Sequence, residues 1–372
     1  MKDQSSDKKK ILIIVNTYFQ LMTAIQIVLK KCDGYEVDFL LTDNLTDCQS
    51  IALRLKNFDF VHEVFIAESK RIAIPRDKKG RIDAVRYSIW FKNYIKTKTS
   101  LGLSTCTYDE LLFHNIDIFT YIIYAFAQSI NKDITLVRYE EGFSIYLSYN
   151  DRPLSEKIGE LISKILGRKS LVNNIRFVYL YHPEYLTYNI PCEIRKIPLI
   201  NKKDEKYKNI INSIFNYKVN EAKTRKLILF EECFYVDKSP VEDYPLFCEI
   251  INKVTPDKVS LKLHPRNTVN RFKNTGAHIF DGGHAPWEVL QLNNTYESNV
   301  FATITSGSVL ASMLYFDEKI PTIFLYKVVD GNFKLKTNYE KYLNKVKNSK
   351  MDSPIYIPEN KEQLFRILEE LV

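Results

Sequence analysis

Val259-Ser260-Leu261-Lys262-Leu263-His264-Pro265 is a short apolar run that closes on a cation, an imidazole and a proline. A run of this length reads as a buried strand, and Pro265 forbids further sheet pairing, so the chain must turn there. The strand therefore delivers Lys262 and His264 together at its carboxyl edge, where open α/β sheets bind their ligands. Lysine supplies a point charge suited to phosphate, and histidine titrates near neutrality and can donate a proton. Taken alone, the stretch reads more readily as an exposed strand end; the rest of the chain decides the matter.

Working outward, the same alternation of elements runs through the whole sequence. Ile11–Val15 reads as a fully buried strand, after which Asn16 or Thr17 caps a helix whose apolar residues Leu21, Met22, Ile25, Val28 and Leu29 keep helical spacing. Apolar runs recur at Val37–Leu41, Val64–Ala67, Leu111–Phe113, Ile134–Val137 and Phe177–Leu180, with helical stretches such as Ile118–Ile130 between several of them. The pattern restarts after a Lys- and Asn-rich stretch, with strands at Leu227–Phe230, Val259–Leu263, Ala277–Phe280, Val300–Ile304 and Thr322–Leu325. Continuous apolar strands between helices indicate parallel sheets covered on both faces. The expected fold is α/β, with two doubly wound Rossmann-like domains facing a central cleft. The expected domains are 1–200 and 227–358, joined by a linker at 201–226 with its own short helix. A terminal helix, Lys361–Leu371 within 359–372, is free to cross back to the first domain.

Bulk properties narrow the class. At 372 residues the chain exceeds the size at which one core keeps growing, so two domains are the default. A net charge of +8 suits an anionic ligand or surface without separating nucleic acid, membrane and nucleotide. Six scattered cysteines with no CxxC read as reduced thiols, not a zinc site or disulfide framework, and no apolar run approaches the roughly 18 residues needed to span a bilayer. The expected location is the cytoplasm, with peripheral contact at the inner membrane face as the membrane option.

Four segments carry chemistry. Glu140-Glu141-Gly142 follows the strand Ile134–Val137, and a carboxylate released there by a glycine can accept a proton from a substrate hydroxyl. The second is Lys262-Leu263-His264-Pro265. In Pro286-Trp287-Glu288 the proline suits a first helical turn, which sets Glu288 near a helix amino terminus, able to bind the two hydroxyls of a ribose or simply to oppose the helix dipole. Thr305-Ser306-Gly307-Ser308, between the strand Val300–Ile304 and the apolar helix Val309–Tyr315, exposes backbone amides suited to phosphate, or forms an ordinary cap. A second acidic pair, Glu231-Glu232, follows the strand Leu227–Phe230 and offers an alternative base.

In this order, and with similar spacing between the last three, the four segments resemble the bacterial sialyltransferases of the two-domain GT-B type that act on lipooligosaccharide and capsule. Asn16-Thr17-Tyr18-Phe19-Gln20 also looks like that group's amino-terminal turn, without its proline, and Glu141 stands where many members carry Asp. The resemblance implies that Glu141 is the general base for an acceptor hydroxyl, with Glu140 or Glu232 as alternatives. It implies that His264 protonates or hydrogen-bonds the leaving phosphate. Asn16, Lys262, Pro265, Glu288 and the run Thr305, Ser306, Gly307 and Ser308 would bind the nucleotide sugar. The donor implied is CMP-sialic acid, transferred with inversion to a hydroxyl of a bacterial surface glycan. Its leaving group carries one phosphate, so no metal is required, in keeping with a sequence that offers no DxD segment near a strand end. The rival readings are a related transferase using a UDP-hexose and a non-catalytic glycan-binding assembly subunit.

Three further features compete for a role. Tyr181-His182-Pro183 lacks a lysine two positions before the histidine and reads as a strand-ending turn, while His278 and His284 flank glycines and read as loop residues. Lys70–Lys98 carries ten Lys/Arg against two Asp among Tyr87, Trp90, Phe91 and Tyr94. It reads as one amphipathic helix with a solvated basic face, or as a surface for anionic membrane or acceptor glycan. No nucleic-acid motif accompanies it, and the sequence leaves the oligomeric state open.

Overall fold

In the computed structural model, the described residues are 8–73, 75, 77–103, 107–149, 153–218, 224–264, 266–280, 285–331, 337–349 and 354–372. The chain divides into two compact units, residues 1–198 with 213–216, and residues 199–212 with 217–372. The stretch expected as a linker carries the helix Glu205–Phe215, and its first part lies within the second unit.

The first unit is one sheet of seven strands: β1 (Lys10–Val15), β2 (Glu36–Thr42), β3 (Glu63–Ala67), β4 (Glu110–Phe113), β5 (Thr135–Tyr139), β6 (Ile175–Leu180) and β7 (Glu193–Lys196). Their order is β3-β2-β1-β4-β5-β6-β7, and every pairing is parallel. The first six follow the 3-2-1-4-5-6 order of the Rossmann sheet, whose direction reverses between β1 and β4. Five of the six residues of β1 are buried, because crossover helices cover both faces. The helix Tyr18–Lys31 starts on Thr17, whose hydroxyl accepts from the Gln20 amide, and Ile118–Ile130 starts on Asp117, which accepts from the Thr120 amide. Packed on the latter is Pro153–Ile165, where a Cβ at Gly159 would come within 2.4 Å of the Tyr121 ring; only glycine allows so close an approach.

The second unit repeats the design with β8 (Leu227–Phe230), β9 (Val241–Glu242), β10 (Val259–Lys262), β11 (His278–Ile279), β12 (Val300–Thr303), β13 (Thr322–Phe324), β14 (Asp330–Gly331) and β15 (Ile355–Tyr356). Its parallel sheet runs β11-β10-β8-β12-β13-β15, again 3-2-1-4-5-6 once counted from β8, and β9 pairs with β14 in a separate antiparallel ribbon. The reversal falls between β8 and β12.

Several expectations need correction. Lys70–Lys98 is three helices, Lys70–Ala73, Lys78–Ile89 and Phe91–Lys98, interrupted after Ile89 because Trp90 leaves helical geometry (φ −101°, ψ 55°). The terminal helix Lys361–Leu371 belongs to the second unit and packs on the helix Asp243–Val254, with Lys361 Nζ 2.7 Å from Glu249. The helix expected over Val309–Tyr315 begins as a 3-10 turn, Gly307–Leu310, before the α-helix Ala311–Phe316. Pro286 precedes the helix Trp287–Asn293 as its cap and is not its first residue.

Candidate active site

In the first unit the edge at the β1–β4 reversal gathers residues from three strand ends. β5 passes into Glu140 and Glu141, which take opposite directions. Glu140 is fully buried, where Oε2 accepts from the Tyr181 amide at 2.7 Å and from the Tyr146 hydroxyl. Glu141 keeps a partly exposed carboxylate, and Gly142 turns the chain immediately afterwards at φ +58°, a conformation that penalises any side chain. Glu141 Oε1 accepts from Thr17 Oγ1 at 2.6 Å, and Oε2 accepts from Gln20 Nε2 at 2.5 Å. Gln20 Nε2 also donates to Asn115 Oδ1, and its Oε1 accepts from the Asn16 amide at 2.6 Å. Asn16 is buried; its Oδ1 accepts from Thr42 Oγ1 at 3.1 Å, and its Nδ2 has no partner among the described residues.

Sequence reasoning missed His114, which follows β4 directly. It is buried, with Nδ1 2.8 Å from the Tyr139 carbonyl and Nε2 3.5 Å from Glu141 Oε2. The available signal was its position: a histidine one residue past a buried strand that borders the sheet reversal. Arg138 holds it from below, donating from Nε to the His114 carbonyl at 2.9 Å.

In the second unit, β10 ends on Lys262 and leads to His264. Among the described residues the Lys262 ammonium has no hydrogen-bonded or ion-paired carboxylate; it lies 5.6 Å from the centre of the Trp287 ring. Burial lowers its pKa, and the charge of Glu288 acts in the opposite direction. His264 accepts from the Arg266 amide at Nδ1, 3.1 Å away, so the neutral ring carries its hydrogen on Nε2, which faces Cys233 Sγ at 3.3 Å. Burial, then the charges of Arg266 and Lys262, hold the imidazole pKa below its ordinary value. The His264 amide donates to Glu231 Oε2 at 3.1 Å, and Glu231 is pinned by Arg271, which also binds Asp243 through two contacts of 3.0 and 2.8 Å. Pro265 lies outside the described residues, as does His284.

Glu232 takes a position that the sequence did not suggest. Its carboxylate accepts from the Thr305 amide at 2.5 Å, Thr305 Oγ1 at 2.7 Å, the Ser306 amide at 3.0 Å and Thr303 Oγ1 at 2.9 Å. The donors read as a phosphate turn are therefore engaged by a carboxylate of the chain itself. Burial raises the Glu232 pKa, while the donors from Thr305, Thr303 and Ser306 pull it down. Ser306 Oγ accepts from the Ser308 amide at 3.3 Å, and the Ser308 carbonyl accepts from Trp287 Nε1 at 3.1 Å, which ties the turn to the helix carrying Glu288. Gly307 opens the 3-10 turn. Lys262, Glu288, Glu232 and Thr305–Ser308 thus converge on one edge of the second sheet.

Of the decoys, His182 is buried, within 2.9 Å of Glu184 and stacked on Tyr185 in a strand-ending turn, and His278 lies on β11 with Nδ1 3.2 Å from Ser260 Oγ. Among the described residues no group of three or more His, Cys, Asp or Glu is placed to hold a metal ion, and no helix is long and apolar enough to cross a membrane.

Comparison with known proteins adds three findings. A family model described as alpha-2,8-polysialyltransferase matches residues 11–279. No curated protein sequence matches the chain. Among solved structures, a UDP-glucosyltransferase from Polygonum tinctorium capable of glucosylating indoxyl is similar with a TM-score of 0.54 at 12% identity, over 99% of this chain and 90% of that one. The glycotransferase of kitacinnamycin aligns with a TM-score of 0.53 at 12% identity, over 98% and 91%. A UDP-N-acetylglucosamine 2-epimerase aligns at 0.51 and 13% identity, over 98% and 87%. Identities this low speak for the fold alone, and that fold is GT-B.

Proposed function

We propose, from the premise that this chain belongs to the alpha-2,8-polysialyltransferase family and is a glycosyltransferase, that it moves sialic acid from CMP-sialic acid to a glycan hydroxyl. The family description points the linkage to α-2,8 and the acceptor to an existing sialyl chain. The transfer is inverting and needs no metal, and the glycan is a bacterial surface polymer of the capsule or lipooligosaccharide type.

The observation that carries this reading is the pair at the end of β10. Lys262 presents an ammonium with no hydrogen-bonded or ion-paired carboxylate among the described residues, beside a histidine held with its hydrogen on Nε2. Together they suit a departing monophosphate: the lysine offsets charge, and the imidazole donates to the oxygen on which charge develops. His264 Nε2 turns from Cys233 Sγ to that oxygen. Glu288 binds the ribose hydroxyls. Thr305 and Ser306 reach the phosphate by exchanging the Glu232 carboxylate for it. Glu141 is the base: two of its lone pairs are occupied by Thr17 and Gln20, which fix its orientation and leave others for the acceptor hydroxyl.

The test is CMP release from CMP-sialic acid with a sialylated oligosaccharide acceptor in EDTA, beside parallel reactions with UDP- and GDP-sugars. Turnover of a UDP-hexose in place of CMP-sialic acid, or a strict need for metal, would sink the reading.

A further inference from the structure

The first unit carries a face on which exposed apolar side chains gather. The helix Lys78–Ile89 turns Gly80, Asp83, Ala84, Tyr87 and Ser88 inward. Outward it presents Ile82, Val85 and Ile89, 56%, 44% and 39% exposed, at the spacing of a single helical stripe, followed by Trp90 at 60%. The helix Pro153–Ile165 does the same. Among its described positions Gly159 and Ser163 are buried, with Gly159 against Tyr121, while Leu154, Leu161 and Ile165 stand out at 71%, 58% and 72%.

These helices touch, and Arg168 fastens them. Its guanidinium donates to the carbonyls of Ser88 at 2.6 Å and Ile89 at 3.2 Å, and lies 4.9 Å from the Phe91 ring. The two stripes therefore belong to one surface. Isolated exposed apolar side chains are ordinary, but aligned stripes on neighbouring helices mark a surface that is covered in use.

Charge identifies the cover. Lys78, Lys79, Arg81, Lys92 and Lys96 are exposed around the first stripe, and Lys157 and Lys164 around the second. The sole acid between residues 78 and 98, Asp83, is buried and paired with Arg71 and Arg86. The acids of the second helix, Glu156 and Glu160, are half-buried, and Glu160 accepts from the Tyr121 hydroxyl. A second copy seated on this face would set these cations against their own kind. Anionic headgroups above an apolar layer match both features at once.

We propose that this face docks on an anionic lipid bilayer, with the two apolar stripes entering the headgroup boundary and the lysines and arginines at headgroup level. The proposal is independent of the donor and acceptor assigned above.

The experiment is co-sedimentation of the full chain with phosphatidylcholine vesicles, with and without phosphatidylglycerol, across a salt series. A companion variant combines Ile82→Gln, Leu154→Gln, Leu161→Gln and Ile165→Gln, all exposed positions at which a polar side chain costs the fold little. The wild type is expected to bind the anionic vesicles, to leave the neutral ones, and to be released as salt shortens electrostatic reach to a few ångströms (about 3 Å at 1 M). The variant should lose at least about tenfold in binding, a loss near 1.4 kcal/mol, with an unchanged far-ultraviolet spectrum. Trp90, read against a Trp90→Phe control, should shift its emission to the blue on vesicles. Wild-type binding by the folded variant, or no binding at low salt, overturns the proposal. So does a wild-type dimer that the variant dissociates while neither binds vesicles, since the face would then belong to a second copy.

Discussion

His114 Nε2 lies 3.5 Å from Glu141 Oε2, while the other nitrogen of the same ring faces the Tyr139 carbonyl at 2.8 Å. A carbonyl oxygen only accepts, so Nδ1 carries a hydrogen, and the neutral ring turns a lone pair towards Glu141. A proton taken from an acceptor hydroxyl by Glu141 has a neighbour to which it can pass.

Replacing His114 with Ala should therefore lower kcat with little change in the donor KM, and by less than the roughly 10²–10⁴-fold expected for loss of the base itself. The pH profile of kcat should change shape with it. A loss confined to KM, with an unchanged profile, would make His114 only a packing residue.

Glu141→Gln should remove about 10²–10⁴-fold of transfer while CMP still binds, because the amide keeps the size of the side chain and loses its basicity. Glu232→Gln is the contrasting variant. It introduces an amide nitrogen, a donor, where four donors converge, and so weakens the internal competitor for the turn; its effect should appear as a changed donor KM and a stronger inhibition by inorganic phosphate, not as loss of the proton-transfer step. If Glu141→Gln turns over like the wild type and Glu232→Gln does not, the two roles are reversed.

The pH dependence of His264 has a definite sign. Its folded pKa is depressed by burial, then by Arg266 and Lys262, so the unfolded chain, with the ordinary value of 6.5, binds the proton first as pH falls. Stability from this group is thus constant above 6.5 and declines as pH drops from there towards the folded pKa. The acidic limb of kcat/KM due to His264 should likewise lie below 6.5: the ring donates from Nε2 in both states, and what protonation removes is the Nδ1 lone pair that accepts from the Arg266 amide and sets the ring. An acidic limb above that value, abolished in His264→Asn, would contradict this assignment.

Arg271 bears on stability rather than chemistry. Its side chain holds Glu231 and Asp243, both almost inaccessible to solvent, and Glu231 in turn holds the His264 amide. Arg271→Ala leaves two buried carboxylates without their cation, a class of change that costs about 3–5 kcal/mol. The unfolding midpoint in urea should fall accordingly, with protection of the His264 amide from hydrogen exchange lost first. Replacement without such a fall would mean that the carboxylates find water in its place.

The strands that could be read from the sequence are those buried on both faces, such as β1, β2 and β8, where an unbroken apolar run is the direct trace of two covered sides. The terminal edge strands β7 and β15 escaped. Glu193–Lys196 is polar throughout apart from Ile194, and β15 is two residues long. An edge needs no apolar face on its open side; the edge strand β3 nonetheless keeps an apolar run in Val64–Ala67, whereas β7 is too polar and β15 too short to leave one. The turn that follows Glu141 was legible because the residue that takes a positive φ there is a glycine, a local demand written in the neighbouring residue. His114 carried no such companion. The contact of Glu232 with Thr305 joins residues 73 positions apart, and only the adjacency of β8 and β12 in the sheet creates it. Adjacent acids likewise look alike in sequence, and only the folded chain shows Glu140 bonded inward to Tyr181 and Glu141 turned towards Thr17.

The carboxylate lodged in the Thr305–Ser306 turn gives the resting protein an internal counterion. A loose anion from the surroundings would have to evict a tethered competitor whose local concentration is fixed by the chain, without the further contacts that the proposed nucleotide donor would bring. Inorganic phosphate should accordingly be a poor inhibitor, and loading of the donor should resemble ligand replacement at an occupied centre more than capture by an empty one.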